Sequence, residues 1–154
     1  MNDFRKLANL GWQPHFQQQI TLDEWDASTP ARIVEQHRSQ LELAGEQGNS
    51  VIPIAPSMPT LTLGDWILLD RDGQFSRLLE RQSWLRRRRS GEKQTEQLLA
   101  ANVDTAFILY SLNDDFNLNR IERYLSVIHD AGAEPVVVLS KLDLCSDPEP
   151  FREQ

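Results

Sequence analysis

"VVVLSKLDLC", Val136 to Cys145, is the stretch on which the fold turns. A run of β-branched residues without polar alternation reads as a strand buried on both faces, the usual state of a parallel sheet. It stops abruptly at Ser140-Lys141-Leu142-Asp143. Upstream, "DTAFILY" (Asp104 to Tyr110) reads as a second buried strand. Between them, "NLNRIERYLSVIHDAG" places Leu118, Ile121, Leu125 and Ile128 on one face of a helix, with Asn117 suited to its N-cap and Gly132 to its C-terminal stop. Strand, helix, strand predicts a βαβ unit with parallel strands and a right-handed crossover.

Further towards the N-terminus the period changes. "LGDWILLDRDGQFSRLLERQSWL" (Leu63 to Leu85) predicts a hairpin, with Asp72-Gly73 at its turn. "ARIVEQHRSQLELAG" (Ala31 to Gly45) holds two β-capable runs that bend near Arg38 and Ser39, and "SVIPIAP" (Ser50 to Pro56) a third. Short strands at this spacing predict a small all-β barrel or sandwich over residues 30–85. Residues 1–29 are expected to form a loosely attached, partly helical arm. Residues 86–95 read as a basic linker, "EQLLAANVD" (Glu96 to Asp104) as weakly helical or extended, and 96–154 as the α/β part.

The composition excludes several classes. The 154 residues are 40% hydrophobic and 25% charged, which is ordinary for a globular protein. No apolar run approaches a membrane span, and "MNDFRKLANLGWQPHFQQQ" lacks the features of a secretory signal. A single cysteine, Cys145, forbids an intrachain disulfide, and three scattered histidines give no zinc pattern. These features lead us to expect a reducing, cytoplasmic compartment and no membrane. The net charge of −7 is uneven: residues 1–80 carry −5, residues 81–93 carry +5, and residues 94–154 carry −7. The basic island contains Arg86, Arg87, Arg88 and Arg89. Guanidinium forks fit phosphate, so the run suits RNA; a solvated linker would carry the same residues.

Ligands of an open parallel sheet bind beyond the carboxyl ends of its strands, which is where Ser140 to Asp143 are expected. Guanine presents N1–H and its 2-amino group as adjacent donors, and the carboxylate of Asp143 can accept both. The stem of Lys141 can cover the face of the base, the Ser140 hydroxyl can support the loop, and Leu142 is expected to point back into the core. A strand leaving the core into a polar loop would present similar residues. Trp66 and Trp84 are expected in the core or at the barrel rim, His15, His37 and His129 as ordinary histidines, and Cys145 as a packing residue.

"SKLD" is similar to the Asn-Lys-x-Asp guanine motif of GTPases. Its surroundings are more specific. "AANVDTAFILYSLNDDFNLNRIERYLSVIHDAGAEPVVVLSKLDL" (Ala100 to Leu144) resembles the circularly permuted, ribosome small-subunit-dependent GTPases of the RsgA/YjeQ type. "GDWILLDRDGQFSRLLERQSWLRRR" (Gly64 to Arg88) resembles the last strands of that family's OB-fold barrel, and "PARIVEQHRSQLELAG" (Pro30 to Gly45) its first hairpin. The likeness extends over residues 30–147.

The resemblance implies a mixed fold: an OB-fold barrel, then the opening βαβ unit of a P-loop-type GTPase domain. It implies GTP or GDP with Mg²⁺ as ligands, the small ribosomal subunit and its rRNA as partners, and a role in late small-subunit maturation. The permutation puts the guanine motif before the phosphate loop. None of the seven glycines is followed by lysine, so the phosphate loop is absent from these 154 residues. We therefore expect a piece of a longer protein that is inactive alone and whose uncovered parallel strands favour self-association. Zinc is expected only in the family's C-terminal domain, with no catalytic residue and no metal ligand in this chain. Ser140 stands where the family usually has Asn, which predicts weaker guanine binding. The alternative reading is an OB-fold nucleic-acid-binding module whose α/β part no longer binds nucleotide.

Overall fold

The computed structural model describes residues 4–88, 96–112, 116–145 and 147–152. Five antiparallel strands form its main sheet: β1 (Thr29–Gln36), β2 (Gln40–Gly45), β3 (Gly48–Pro53), β4 (Trp66–Leu69) and β5 (Phe75–Leu78). Their order is β3-β2-β1-β4-β5. The Asp72-Gly73 turn connects β4 to β5 as the sequence predicts. Asp70 accepts there from the backbone N–H groups of Asp72 and Gln74, both at 2.9 Å.

Alternation along the strands directs Ala31, Ile33, Leu41, Leu43, Ile52, Ile67 and Leu69 to one face, where they bury one another together with Leu61. The intervening residues of β4, Trp66 and Leu68, point the other way and are also buried. Three short helices cover them: α1 (Phe4–Asn9), α2 (Pro14–Gln17) and α3 (Leu22–Ala27). Leu7, Trp12, Phe16 and Ile20 pack with Trp66, Leu68 and Leu79 into a second core. Burying a side chain such as Leu7 or Phe16 is worth about 1.5–3 kcal/mol. The expected arm is helical in part, through α1, α2 and α3, but it is not loose: residues 4–27 close one face of the sheet. Polar contacts fasten the cover. Arg77 binds Glu24 at 2.7 and 3.1 Å and the Gln19 carbonyl at 2.6 Å, and Thr21 with Glu24 forms a capping box at the start of α3.

The main sheet leads into a second hairpin, β6 (Trp84–Arg88) with β7 (Glu96–Ala101). Residues 86–88 of the expected linker are thus strand residues, paired with Leu98, Gln97 and Glu96. The stretch read as weakly helical or extended begins as β7. At the junction, Asp65 is fully buried and accepts two hydrogen bonds from Arg81, at 2.6 and 2.7 Å. Such a buried pair is tolerable only because its remaining capacity is also used: Asp65 accepts from Thr62 N–H at 2.8 Å, and Arg81 donates to the Thr60 carbonyl at 2.9 Å. The carboxylate at its side holds the Arg81 guanidinium above its ordinary pKa.

β8 (Thr105–Ser111) and β9 (Glu134–Ser140) then pair in parallel, joined through α4 (Leu118–Asp130). Asn117 caps α4 by accepting from Arg120 N–H, and Gly132 follows it at φ +77°. Ile121, Leu125 and Ile128 face the sheet, and Ile128 packs with Ile108 and Ala133. Only one face of this pair is covered among the described residues. On the other, Phe107 is 72% and Leu109 70% exposed, beside their register partners Val136 and Val138. The expectation of burial on both faces is corrected to burial on the α4 face alone.

Candidate functional site

β9 ends at Ser140, whose hydroxyl donates to the Tyr110 carbonyl on β8 at 3.0 Å. Leu112 N–H donates back to the Ser140 carbonyl, also at 3.0 Å. The two parallel strands are thereby locked together at their carboxyl ends. Lys141 then adopts the left-handed conformation, φ 57° and ψ 39°, which is uncommon for a residue with a Cβ. This reverses the chain out of the strand and into a single 3₁₀ turn, Leu142–Leu144, closed by Leu144 N–H to the Lys141 carbonyl at 3.0 Å. Lys141 and Asp143 are exposed on this turn. Neither side chain makes a hydrogen bond or ion pair to another described residue.

Leu142 does not return to the core. It is 57% exposed and lines an apolar groove of about 760 Å³ with Leu112, Ile121, Leu125, Leu139 and Phe151. The reason is geometric: the left-handed Lys141 rotates the following residue off the strand's alternation. Phe151 lies on α5 (Glu149–Arg152), beyond the turn, and contacts Phe116 edge-on at 4.8 Å. Cys145 donates from its thiol to the Asp147 carbonyl at 3.3 Å.

The basic island lies elsewhere, on β6. Arg86 sits 5.4 Å from the centroid of the Trp84 ring, and Arg87 donates to Gln97 at 3.3 Å. Arg89 falls outside the described residues. Trp84 is 41% exposed, a rim residue, whereas Trp66 is fully buried. Arg86, Arg87 and Trp84 form one wall of a cleft of about 550 Å³, and Arg123, Ser126 and Asp130 of α4 form the other. Arg123 was not identified from sequence. It lies 34 positions beyond Arg89, and the only sequence sign was its place on α4 away from the apolar face.

The RsgA GTPase family model matches residues 78–154. Small ribosomal subunit biogenesis GTPase RsgA 2 of Vibrio parahaemolyticus is 53% identical over 148 residues, covering 96% of this chain and 41% of the relative. Small ribosomal subunit biogenesis GTPase RsgA of Mesorhizobium japonicum is 41% identical over 152 residues, covering 96% of this chain and 43% of the relative. Among solved structures, YjeQ from Thermotoga maritima matches with a TM-score of 0.57 at 20% identity, over 82% of this chain and 45% of that one. YloQ, a circularly permuted GTPase, matches with a TM-score of 0.57 at 17% identity, over 82% and 45%. The chain thus spans less than half the length of these proteins. The family match extends from β5 through the Ser140–Asp143 turn, and on that ground the chain belongs to the RsgA GTPase family.

Proposed function

We propose that this chain supplies the RNA-facing barrel and the guanine-recognising turn of a GTPase acting in biogenesis of the small ribosomal subunit. The single observation that carries this reading is the placement of Lys141 and Asp143. In a chain of this family, both stand exposed on a turn that follows two hydrogen-bonded carboxyl ends of parallel strands. On this reading residues 30–85, which hold most of the five-stranded sheet, are the OB-fold barrel, and residues 96–154 open the GTPase domain as a βαβ unit. The two oxygens of Asp143 accept from N1–H and the 2-amino group of guanine, Lys141 covers the base, and Ser140 positions the turn through its bond to Tyr110. GTP or GDP with Mg²⁺ is the ligand of the complete site, and the compartment is cytoplasmic. Arg86 to Arg89 contact rRNA.

Phosphoryl transfer depends on a phosphate cradle, its lysine and Mg²⁺. A Gly-Lys pair occurs nowhere in the 154 residues, so on this reading the chain alone turns over no GTP. The test is guanine discrimination in a protein that carries the phosphate loop as well. Asp143→Asn is expected to shift preference from guanosine towards xanthosine nucleotides, because the amide can donate to the 2-oxo group. Specificity built on buried hydrogen bonds is steep, so a change of about 100-fold or more in the GTP-to-XTP ratio is expected. Ser140→Asn is expected to tighten GTP. An unmoved ratio in Asp143→Asn sinks the guanine role of this turn.

A further inference from the structure

The β1–β2 hairpin carries a cluster that neither the GTPase reading nor the RNA reading uses. Pairing between the strands loses register at Val34: Ile33 opposes Leu43, and the next pair is Glu35 with Glu42. Strict alternation would put Glu35 on the same side as buried Ile33. The extra residue re-aims it to the solvent side, directly across from Glu42. Two like charges directly opposite on antiparallel strands repel, so the arrangement calls for something positive between them. His37 stands two residues beyond Glu35, on the same face. Its Nε2 lies 3.1 Å from Glu42 Oε1 and 3.4 Å from Glu35 Oε1. One ligand atom from each of the three residues fits within a 4.8 Å span.

The two His37–carboxylate separations are close to the edge of a coordination polyhedron. With metal–ligand bonds of about 2.0–2.1 Å, the edge of a tetrahedron is roughly 3.3 Å long. The two His37–carboxylate separations straddle that value. An imidazole with two carboxylates is a donor set for zinc or a similar divalent transition ion, whereas calcium and magnesium favour oxygen donors alone. The side chains of Glu35, His37 and Glu42 are 59%, 40% and 37% exposed, so an ion reaches them without opening the fold and keeps a solvent-facing fourth position. The backbone is already set, because His37 N–H donates to the Gln40 carbonyl at 2.9 Å across the hairpin turn.

We propose that Glu35, His37 and Glu42 form a surface binding site for a divalent transition ion of the zinc class, at the tip of the β1–β2 hairpin. The sequence hid it, because a Glu-x-His pair followed five residues later by a Glu is too common a pattern to read as a site. The β-bulge and the strand register assemble it.

Isothermal titration of this chain with ZnCl₂ near neutral pH, paired with the visible absorption of added Co²⁺, tests the proposal. One ion per chain is expected, together with the strong absorption of four-coordinate Co²⁺. His37→Gln and Glu42→Gln are each expected to weaken binding at least tenfold, while His129→Gln and Cys145→Ser leave it unchanged. Thermal melting of each metal-free variant confirms that the fold is intact. Absence of zinc binding overturns the proposal. So does zinc binding that survives His37→Gln, and so does Mg²⁺ binding as tight as that of zinc. In the first case the imidazole acts only as a hydrogen-bonding bridge between the two carboxylates.

Discussion

Arg32, on the central strand β1, donates from Nη2 to the carbonyl of Asn102 at 3.0 Å, although 70 residues separate them in the chain. Its other terminal nitrogen donates to the Leu10 carbonyl beyond α1. One guanidinium therefore ties together the helical cover, the main sheet and the connection between β7 and β8. It sits half-buried, 6.0 Å from the centroid of the Trp66 ring. Burial lowers its pKa from the ordinary arginine value, with Asp104 opposing the shift, and the group stays charged. Arg32→Met is expected to destabilise the chain by about 2–3 kcal/mol, since two part-buried carbonyls lose a charged donor. Urea denaturation measures this. A change below about 0.5 kcal/mol would show that the three parts are held without it.

Gly64 sits beside this junction at φ +85°, and a Cβ there would lie 2.0 Å from the Ala101 carbonyl oxygen. Backbone cannot yield by that much, so Gly64→Ala is expected to cost more than about 3 kcal/mol or to prevent folding. Gly73, at φ +74° in the β4–β5 turn, meets nothing within 4 Å. Gly73→Ala is expected to cost only about 1 kcal/mol, from backbone strain alone. Thermal unfolding of the two variants side by side separates steric overlap from strain; equal losses would contradict the close approach at Ala101.

Glu24 gives the helical cover a pH dependence. Hydrogen bonding from Arg77 and the Thr21 backbone holds its carboxyl down at about 2, against an ordinary 4.5. The folded chain therefore binds this proton more weakly than the unfolded chain. Stability from the Glu24–Arg77 pair is complete above about pH 4.5 and is lost as the pH falls towards 2. Glu24→Gln is expected to flatten the stability curve in that window and to leave its shape unchanged above pH 6. Urea midpoints between pH 2 and pH 7 test this, and an unaltered acid limb would remove Glu24 from the account.

Phe107 and Leu109 present an apolar face on a parallel pair, and parallel sheets are normally covered on both sides. The 154-residue chain is expected to self-associate through this face. Phe107→Ser with Leu109→Ser is expected to shift the sedimentation profile towards monomer without loss of helix signal. Monomeric wild-type chain at tens of micromolar would contradict this.

Local sequence determined the elements. The Asp72-Gly73 turn, the α4 stripe of Ile121, Leu125 and Ile128, and the Asn117 cap and Gly132 stop all act within a few residues of themselves, so periodicity and turn chemistry exposed them. The Ser140-Lys141-Leu142-Asp143 turn was legible for the same reason. Its left-handed Lys141, which sends Leu142 out to the groove, was not, because the Ser140–Tyr110 bond that fixes the strand end joins residues 30 apart. The helical cover was illegible for a stronger reason. Trp12, Phe16 and Ile20 recur every four residues, but the helices there are only six and four residues long and broken by loops, and with Leu7 these residues become a core only against Trp66 and Leu68, far on in the chain. The arginines of β6 read as a linker because charge masked a strand whose partner begins only after residue 95. Sequence set the strands and helix whose turn, cap and period signals are local, such as β4, β5 and α4. Tertiary structure decided which face each element covers and which distant side chains meet, because that depends on packing between segments whose separation along the chain leaves no periodic trace.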